Sequence, residues 1–204
     1  MATVRILRAD DVRAALPMQA CIEAMQSAFV AYSAGHAELP RVIHLDVPEA
    51  KGEIHVKAGH IHGAPAYAVK VASGFYAEDP AIDGLVLVFD ATTGAPVAFL
   101  LDGGLLTNLR TGAAGGVAAR WLAPERVDVV AVLGTGIQSR RQVEALRCVR
   151  PEIGEIRIWG RDMQRAMRAA HDIGAMVSDS AQEAVTGAGV VITATASREP
   201  LIDA

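Results

Sequence analysis

The sequence has few of the features that assign a protein to a special class. It contains two cysteines, Cys21 and Cys148, in 204 residues. Both stand among apolar neighbours in helical patterns, which favours reduced, partly buried thiols over a disulfide or a metal pair. No run approaches the ~20 apolar residues that span a membrane, and charges interrupt every apolar window of the N-terminal segment. We therefore expect a soluble, cytoplasmic protein without a signal peptide or a membrane anchor.

An excess of positive charge is missing as well. The net charge is -4 and the charged residues are spread along the chain, so no basic stripe is available to neutralise the phosphates of a nucleic acid. The sequence also lacks repeats and low-complexity stretches. Hydrophobic residues make up 51% of the chain, which is enough to bury a sizeable core. These features predict a globular protein of one large or two small domains that does not bind nucleic acid.

Strand patterns dominate the first half of the chain. A short strand and two helices come first, and they are predicted at 4–7, 9–16 and 18–32. About five strands follow between residues 41 and 102, and they predict an antiparallel or mixed sheet. A long helix is predicted from Gly103 to Ala123, where small residues at 112, 113, 115 and 116 allow another backbone to approach closely. We assign residues 1–123 to this first domain.

After Pro124 the sequence alternates between strands and helices. Strands are predicted at 128–133, 156–159, 176–179 and 190–194, and helices at 137–148, 163–173 and 180–186. Apolar strands separated by helices indicate a parallel, doubly wound sheet, so residues 124–204 form the second domain of an α/β protein. A complete dinucleotide-binding domain has about six parallel strands. Because four can be counted here, we expect an incomplete domain from a longer enzyme, with an unusually small domain as the alternative.

The stretch VVAVLGTGIQSRRQ, residues 129–142, joins a predicted strand to a helix through a glycine-rich turn. Gly134 and Gly136 occupy the first two positions of a G-x-G-x-x-G pattern, and Ser139 takes the third. In such a loop the backbone N–H groups of Gly136, Ile137 and Gln138 point to a pyrophosphate at the helix N-terminus. The third position serves close helix–strand packing, which a small serine also permits. We predict a nucleotide site, with a purely structural turn as the alternative.

The end of the second strand of this domain bears on the choice of cofactor. NAD enzymes usually place an acidic residue there to accept hydrogen bonds from the ribose, whereas this sequence has Gly160. Arg161 follows, and a guanidinium at that point can pair with a 2'-phosphate, which favours NADP. Two alternatives keep NAD open: Asp162 could accept the hydroxyl hydrogen bonds, and an arginine at the surface end of a strand is common.

Three cationic residues of the first domain and its last helix stand in apolar or small-residue settings: Arg41, Lys70 and Arg110. In an alternating strand Lys70 shares a face with Ala68 and Ala72, so its ammonium either lines a site or reaches solvent. Arg110 could bind a carboxylate through both of its terminal nitrogens, with a surface or capping role as the alternative.

Four histidines, at positions 44, 55, 60 and 62, occur in the first strands of this domain. The H-x-H pair at His60 and His62 lacks a further carboxylate or cysteine at ligand spacing, which makes it a weak metal signal. We predict no metal site and interpret the histidines as strand-face or substrate-facing residues.

Five segments carry a family resemblance. They read AVKVASGF, FDATTGAPVAFL, LLTNLRTGAAGGVAARWLAPE, VAVLGTGIQSRRQVEAL and VITATASREPLI. Together they resemble the ornithine cyclodeaminase and mu-crystallin family, which includes ketimine reductases and some alanine dehydrogenases. The LT-x-x-RT-x-A segment and the G-x-G-x-Q loop are specific for the family in combination, and the likeness covers nearly all of the chain.

The resemblance implies a β-rich domain for substrate binding and dimerisation, followed by a Rossmann domain for NADP or NAD, in a homodimer. It implies that Arg41, Lys70 and Arg110 bind the substrate carboxylate, and that Arg110 also contacts the cofactor. The remaining cofactor contacts that it implies are Gly134, Thr135, Gly136, Ile137, Gln138, Ser139, Gly160, Arg161, Asp162, Thr195 and Ala196.

Two departures from the family refine the expected function. The family's catalytic aspartate lies in a G-x-D segment that this sequence does not contain. His55 stands where an ornithine cyclodeaminase carries a glutamate for the distal amine, and a histidine is a poorer partner for an ammonium, so ornithine is disfavoured. We expect an oxidoreductase that acts on the C–N bond of a small amino or imino acid, with Lys70 also assisting proton transfer. The alternatives are a cyclodeaminase with catalytic NAD and an NADPH-binding protein without activity.

Overall fold

The computed structural model describes residues 3–75, 77–78 and 82–202, which form two compact units. The first unit comprises the segment that ends at Pro17 together with Gln26–Thr107. The second comprises Met18–Met25 together with the chain from Asn108 onward. The sequence placed the boundary later, between residues 123 and 124, because a helical pattern does not reveal which segment the helix packs against.

Among the described residues up to Leu101, the chain forms seven strands, two α-helices and a 3-10 turn at Pro48–Ala50. The elements are β1 (Arg5–Arg8), α1 (Ala9–Ala15), α2 (Met18–Ser33), β2 (Ala37–Glu38), β3 (Ile43–Val47), β4 (Gly52–Ile61), β5 (Ala66–Phe75), β6 (Ile82–Asp90) and β7 (Pro96–Leu101). The strands form one sheet in the order β1-β7-β6-β5-β4-β2, and β3 also pairs with β4. Only the β1–β7 pairing is parallel among these described strands, so the sheet is mixed, in agreement with the prediction.

The register of this sheet brings the charged side chains of β3, β4 and β5 to one face. Lys70 of β5 lies opposite Lys57 of β4 and Val86 of β6, and its face also carries Ala68 and Ala72, as the alternation predicted. The other face is apolar and remains open on β3, where Ile43 is 64% exposed and Leu45 56% exposed. The lysines of β4 and β5 thus lie on one face of the sheet, beside the buried Val86 of β6.

The second unit is a parallel α/β layer structure. Its elements follow the long helix α3 (Leu105–Leu122) and are β8 (Val129–Leu133), α4 (Ile137–Val149), β9 (Glu155–Trp159), α5 (Met163–Ile173), β10 (Met176–Val177), α6 (Ala181–Val185) and β11 (Val190–Thr193). The strand order is β10-β9-β8-β11 and every pairing is parallel. This order places the first strand of the unit, β8, between β9 and β11, as in one half of a Rossmann fold.

The core of this unit explains why its strands read as unbroken apolar runs. Val130 and Val132 of β8, with Ile158 of β9, are fully buried because helices cover both faces of the sheet. Burying each such side chain contributes roughly 1.5–3 kcal/mol. The ends of these strands are therefore held in place firmly enough to position a ligand.

Glycines of α3 let the backbones of α3 and α4 approach closely, as their sequence predicted. A Cβ on Gly112 would come within 2.7 Å of the backbone oxygen of Arg141. A Cβ on Gly116 would lie 3.0 Å from Ile22 and 3.1 Å from Ala145. The side-chain amide of Gln142 donates to the backbone oxygen of Thr111 across the same contact at 3.1 Å. Small residues at these positions thus fix the distance between the two helices.

The two cysteines are free thiols, as expected, but only one of them is partly or fully buried. Cys21 is buried, whereas Cys148 is exposed at the end of α4. The prediction of a partly buried Cys148 was wrong because it lies on the solvent side of α4, while Val143 and Leu146 take the core side. No helix within the described residues is long and apolar enough to cross a membrane.

Gly112→Val is expected to lower the free energy of unfolding by about 1–3 kcal/mol, because the new side chain has no space against the backbone of α4. Denaturant unfolding measures the change. The matched control is Ala118→Val, at an exposed position of the same helix, for which we expect a change within about 0.5 kcal/mol. Equal losses for the two variants would contradict the close contact between α3 and α4.

Candidate cofactor site and substrate-facing residues

The glycine loop begins where β8 ends, and its first glycine is required by the backbone. Gly134 has φ +119°, which side-chain-bearing residues rarely adopt. A Cβ there would overlap the backbone oxygen of Ala194, at the end of β11. The N–H of Gly134 also donates to the backbone oxygen of Trp159 at 2.9 Å, so this residue joins the ends of three strands.

The second glycine lies at the N-terminus of α4, where no other part of the protein is packed against it. Gly136 is the N-cap residue of that helix, and a Cβ added to it would have no heavy atom within 4 Å. An open N-terminus of a 13-residue helix, with unpaired backbone N–H groups, fits the position of a bound pyrophosphate.

Ser139 fills the third position of the glycine pattern without disturbing the packing. It is 0% exposed, and its Oγ donates to the backbone oxygen of Gly136 at 2.6 Å. A small side chain therefore replaces the third glycine and adds a hydrogen bond to the loop. Arg140 supports the loop from outside: its guanidinium donates to the backbone oxygens of Thr135 at 2.9 Å and Gly136 at 3.0 Å.

A cavity of about 340 Å³ lies over the loop, at the carboxyl ends of the parallel strands. This is the edge at which open α/β sheets bind ligands. Eight residues predicted to bind the cofactor line it: Gly134, Thr135, Gly136, Gly160, Arg161, Asp162, Thr195 and Ala196. Four further lining residues were missed, namely Trp159, Arg165, Ala194 and Leu201. Trp159 and Ala194 could have been found, because they stand at or just past the ends of strands that flank the glycine loop.

The remaining predicted cofactor residues have other environments. Ile137 is largely exposed, Ser139 is buried below the loop, and Gln138 donates to the side chain of Asn108 at 3.1 Å. The side-chain oxygen of Gln138 is buried without a hydrogen-bond partner. Of these three residues, Ile137 and Gln138 can still contribute their backbone N–H groups at the start of α4.

Gly160 and Asp162 determine whether an acidic side chain is available to accept hydrogen bonds from the ribose of the cofactor. A Cβ on Gly160 would lie 2.5 Å from Cγ2 of Thr135, so a larger residue there would require the Thr135 side chain to move. Asp162 caps α5 and accepts a hydrogen bond from the N–H of Arg165 at 3.0 Å. That hydrogen bond lowers the pKa of the Asp162 carboxyl. The carboxylate is thus already bound to the helix, while the exposed side chains of Arg161 and Arg165 line the same cavity.

Arg110 lies on α3 in the second unit, outside the residues that line this cavity. Burial lowers the pKa of its guanidinium, which nevertheless stays charged, since arginine is not deprotonated in proteins. Burial also raises the pKa of the nearby Cys21 thiol. A half-buried permanent cation in an apolar setting is a suitable partner for an anion.

Arg41 and Lys70 belong to the first unit. Arg41 is exposed in the segment just before β3, although its neighbours in the sequence are apolar. Lys70 is half-buried in the middle of β5. The register sets Lys57 directly opposite Lys70, which sequence reasoning missed, because alternation within one strand does not reveal its partner in the next.

The histidines of β3 and β4 lie beside carboxylates. Nε2 of His44 is 2.9 Å from Asp46, and Nε2 of His55 is 3.6 Å from Glu53. The hydrogen bond with Asp46 raises the pKa of His44. Donor atoms of His44, Glu53 and His55 lie within 4.8 Å of one another, but ion pairs account for the arrangement, and the absence of a metal site stays a prediction.

A larger cavity of the second unit, about 410 Å³, is unrelated to the predicted site. Helices α3 and α4 and strand β11 line it with mainly apolar residues such as Ala118, Leu146 and Val190. It contains none of the predicted cofactor residues and no charged side chain. The cavity over the glycine loop is therefore the candidate cofactor site.

Gly136→Val is expected to weaken NADPH and NADH binding at least about tenfold, because the side chain would occupy the space open to a pyrophosphate. Isothermal titration calorimetry measures the affinity. The fold should lose no more than about 1 kcal/mol, since the site is unobstructed and only the N-cap preference changes. Unchanged affinity in a folded variant would place the pyrophosphate elsewhere.

Comparison with known proteins identifies the family. An alanine dehydrogenase of Archaeoglobus fulgidus is 31% identical over 204 residues, which cover 98% of this chain and 62% of that protein. The Thermococcus litoralis Delta(1)-pyrroline-2-carboxylate reductase, solved with NADH and L-proline, superposes with a TM-score of 0.89 at 28% identity, covering 98% of this chain and 64% of its own. An archaeal alanine dehydrogenase dimer with bound NAD gives a TM-score of 0.86 at 29% identity, covering 98% of this chain and 62% of its own.

The chain spans 64–65% of the length of two further curated relatives that it matches over 99–100% of its own length. The profile of the ornithine cyclodeaminase/mu-crystallin family matches residues 3–204. The glycine loop and the strand order agree with this match. The chain therefore belongs to the ornithine cyclodeaminase/mu-crystallin family.

Proposed function

We propose that the protein is an NAD(P)-dependent oxidoreductase that acts on the C–N bond of a small amino or imino acid. The cavity over the glycine loop carries the proposal, because its lining combines a close strand–strand junction, an open helix N-terminus and two arginines. Relatives that reduce or oxidise such substrates, and that are solved with NADH or NAD, support it.

One set of residues would bind the cofactor, and another set would orient the substrate. The nicotinamide, when bound, supplies or accepts the hydride. The N–H groups of Gly136, Ile137 and Gln138 would hold the pyrophosphate, with Thr195 and Ala196 at the far wall of the cavity.

The substrate carboxylate would bind to Arg41, Lys70 and Arg110, with Lys70 also able to move a proton. Half-burial of Lys70 and Arg110 supports these roles, because partly desolvated cations bind anions more strongly than fully hydrated ones. His55, which lies against Glu53, is a poor partner for the distal ammonium of ornithine. A reductase or dehydrogenase is therefore favoured over an ornithine cyclodeaminase.

NADP is the cofactor that the ribose end of the cavity favours. Position 160 offers no acidic side chain, since it is a glycine packed against Thr135, and Asp162 caps α5. Arg161 and Arg165 remain at the same wall and would pair with a 2'-phosphate.

The open apolar face of the first sheet supports a homodimer. Ile43, Leu45, Val97 and Leu101 are at least 40% exposed on that face. Burying these side chains of β3 and β7 against a second copy would remove apolar surface from water. The solved archaeal alanine dehydrogenase is a dimer, which supports the same state for this protein.

Arg161→Ala is expected to lower the affinity for NADPH about tenfold and to leave that for NADH within about twofold, because only NADPH carries the 2'-phosphate. Calorimetric titration with both cofactors gives the ratio of the NADPH affinity to the NADH affinity. Arg126→Ala is the matched control, since this exposed arginine of the same unit pairs with Asp128 and does not line the cavity. An equal loss of affinity for NADPH and NADH would contradict the assignment of Arg161 to the 2'-phosphate.

Activity is tested by following NADPH and NADH oxidation with the natural full-length protein. Suitable substrates are cyclic ketimines and mixtures of a 2-oxo acid with ammonium, and we expect turnover of at least one class. Release of ammonia from ornithine without net change in cofactor absorbance would show a cyclodeaminase instead. Tight cofactor binding without turnover of any of these compounds would show a non-catalytic binding protein.

A further inference from the structure

Four side chains that can bind metal ions lie together on one face of the first sheet. His44 and Asp46 of β3 lie opposite His55 and Glu53 of β4. Alternate residues of a strand share a face, so all four side chains extend to the same side. The ring centroids of His44 and His55 are 4.6 Å apart, with one ring edge-on to the other. The strand pairing thus brings two imidazoles and two carboxylates into one cluster.

The donor atoms of three of these residues are already close enough to share an ion. One donor atom from each of His44, Glu53 and His55 lies within 4.8 Å of the other two. Donors bound to Zn²⁺ at about 2.0–2.2 Å lie roughly 3–4 Å from one another, so side-chain shifts of about 1 Å would complete the site. Strand β4 pairs with β3 on one side and β5 on the other, which fixes the backbone that carries two of the ligands.

The ligand types select the kind of ion. Imidazole suits Zn²⁺, Ni²⁺ and Cu²⁺, whereas Mg²⁺ and Ca²⁺ prefer oxygen ligands. Two histidines and one glutamate are a ligand set of zinc sites that keep a fourth position for water. Asp46, whose carboxylate is 2.9 Å from Nε2 of His44, can orient that ring, as carboxylates do behind metal-bound histidines.

The contacts within the cluster leave its histidines available to an ion. Nε2 of His55 is 3.6 Å from the Glu53 carboxylate, which is too long for a hydrogen bond. His44 is exposed and His55 is half-buried, so an ion can enter the cluster from solvent. The ion pairs that hold the metal-free cluster can therefore give way to coordination without a change in the sheet.

We propose that His44, Glu53 and His55 bind a divalent transition metal ion of the zinc type, taken up from solution. The proposal replaces the prediction that the chain has no metal site. That prediction considered ligand spacing within single segments, whereas this ligand set arises only when β3 pairs with β4. Binding of the ion does not depend on the proposed function.

Isothermal titration calorimetry of the natural full-length protein with Zn²⁺ measures the binding. We expect a dissociation constant on the order of micromolar, weaker than that of a closed four-ligand site. Mg²⁺ is the comparison ion, and it should bind at least about 100-fold more weakly. No binding of Zn²⁺, or equal affinities for the two ions, would overturn the proposal.

His44→Ala and His55→Ala assign the site, because each removes one ligand from a different strand. Each should weaken Zn²⁺ binding at least about tenfold. The matched controls are His62→Ala, an exposed histidine that pairs with Glu38, and Cys148→Ser, an exposed thiol. Both controls should leave the affinity within about twofold. A loss in either control, with the affinity unchanged in His44→Ala and His55→Ala, would place the ion elsewhere and overturn the proposal.

A spectroscopic readout separates coordination from an indirect loss of affinity. Of the six histidines of the sequence, we expect the ring-proton NMR signals of His44 and His55 to shift when Zn²⁺ is added. Glu53→Gln keeps the shape of the third ligand and removes its charge, so it should weaken binding about tenfold while the metal-free protein stays folded. Zn²⁺-dependent shifts confined to other histidines would show that this cluster does not hold the ion.

Discussion

The ends of three parallel strands meet at Gly134, and the cofactor site depends on that junction. The carbonyl of Ala194 occupies the space that a Cβ would need, and the N–H of Gly134 is bonded to Trp159. Close approach of these backbones places the loops after β8, β9 and β11 around one cavity. Because side chains are excluded at the junction, the loop keeps the open N-terminus of α4 directed at the cavity.

The substrate-facing residues depend on a different constraint, the register of an antiparallel sheet. A slip of one residue between β4 and β5 would send Lys57 to the opposite face from Lys70. The register aligns Val56, Val71 and Leu85 on one face, while both lysines align with His44 and His55 on the other. The pairing of the strands thus determines which charged side chains lie side by side.

Much of the fold was predictable because its local signals agree. The unbroken apolar runs of β8 and β9 predicted a parallel sheet, and the glycines at 112, 115 and 116 predicted a close helix contact on α3. The domain boundary differed because it depends on which neighbour α3 packs against. Burial of Cys148 was predicted wrongly, since both faces of α4 carry some apolar residues and only the packed structure selects one.

The sequence by itself determined the residue types of the site: a glycine loop with Ser139, an arginine after Gly160, and isolated cations at Lys70 and Arg110. These are local choices, readable from spacing and from resemblance to a family. Tertiary structure decided that Thr135 lies against Gly160 and that Lys57 lies opposite Lys70. Both depend on contacts between segments that are separated in the chain, which no periodicity within a single segment records.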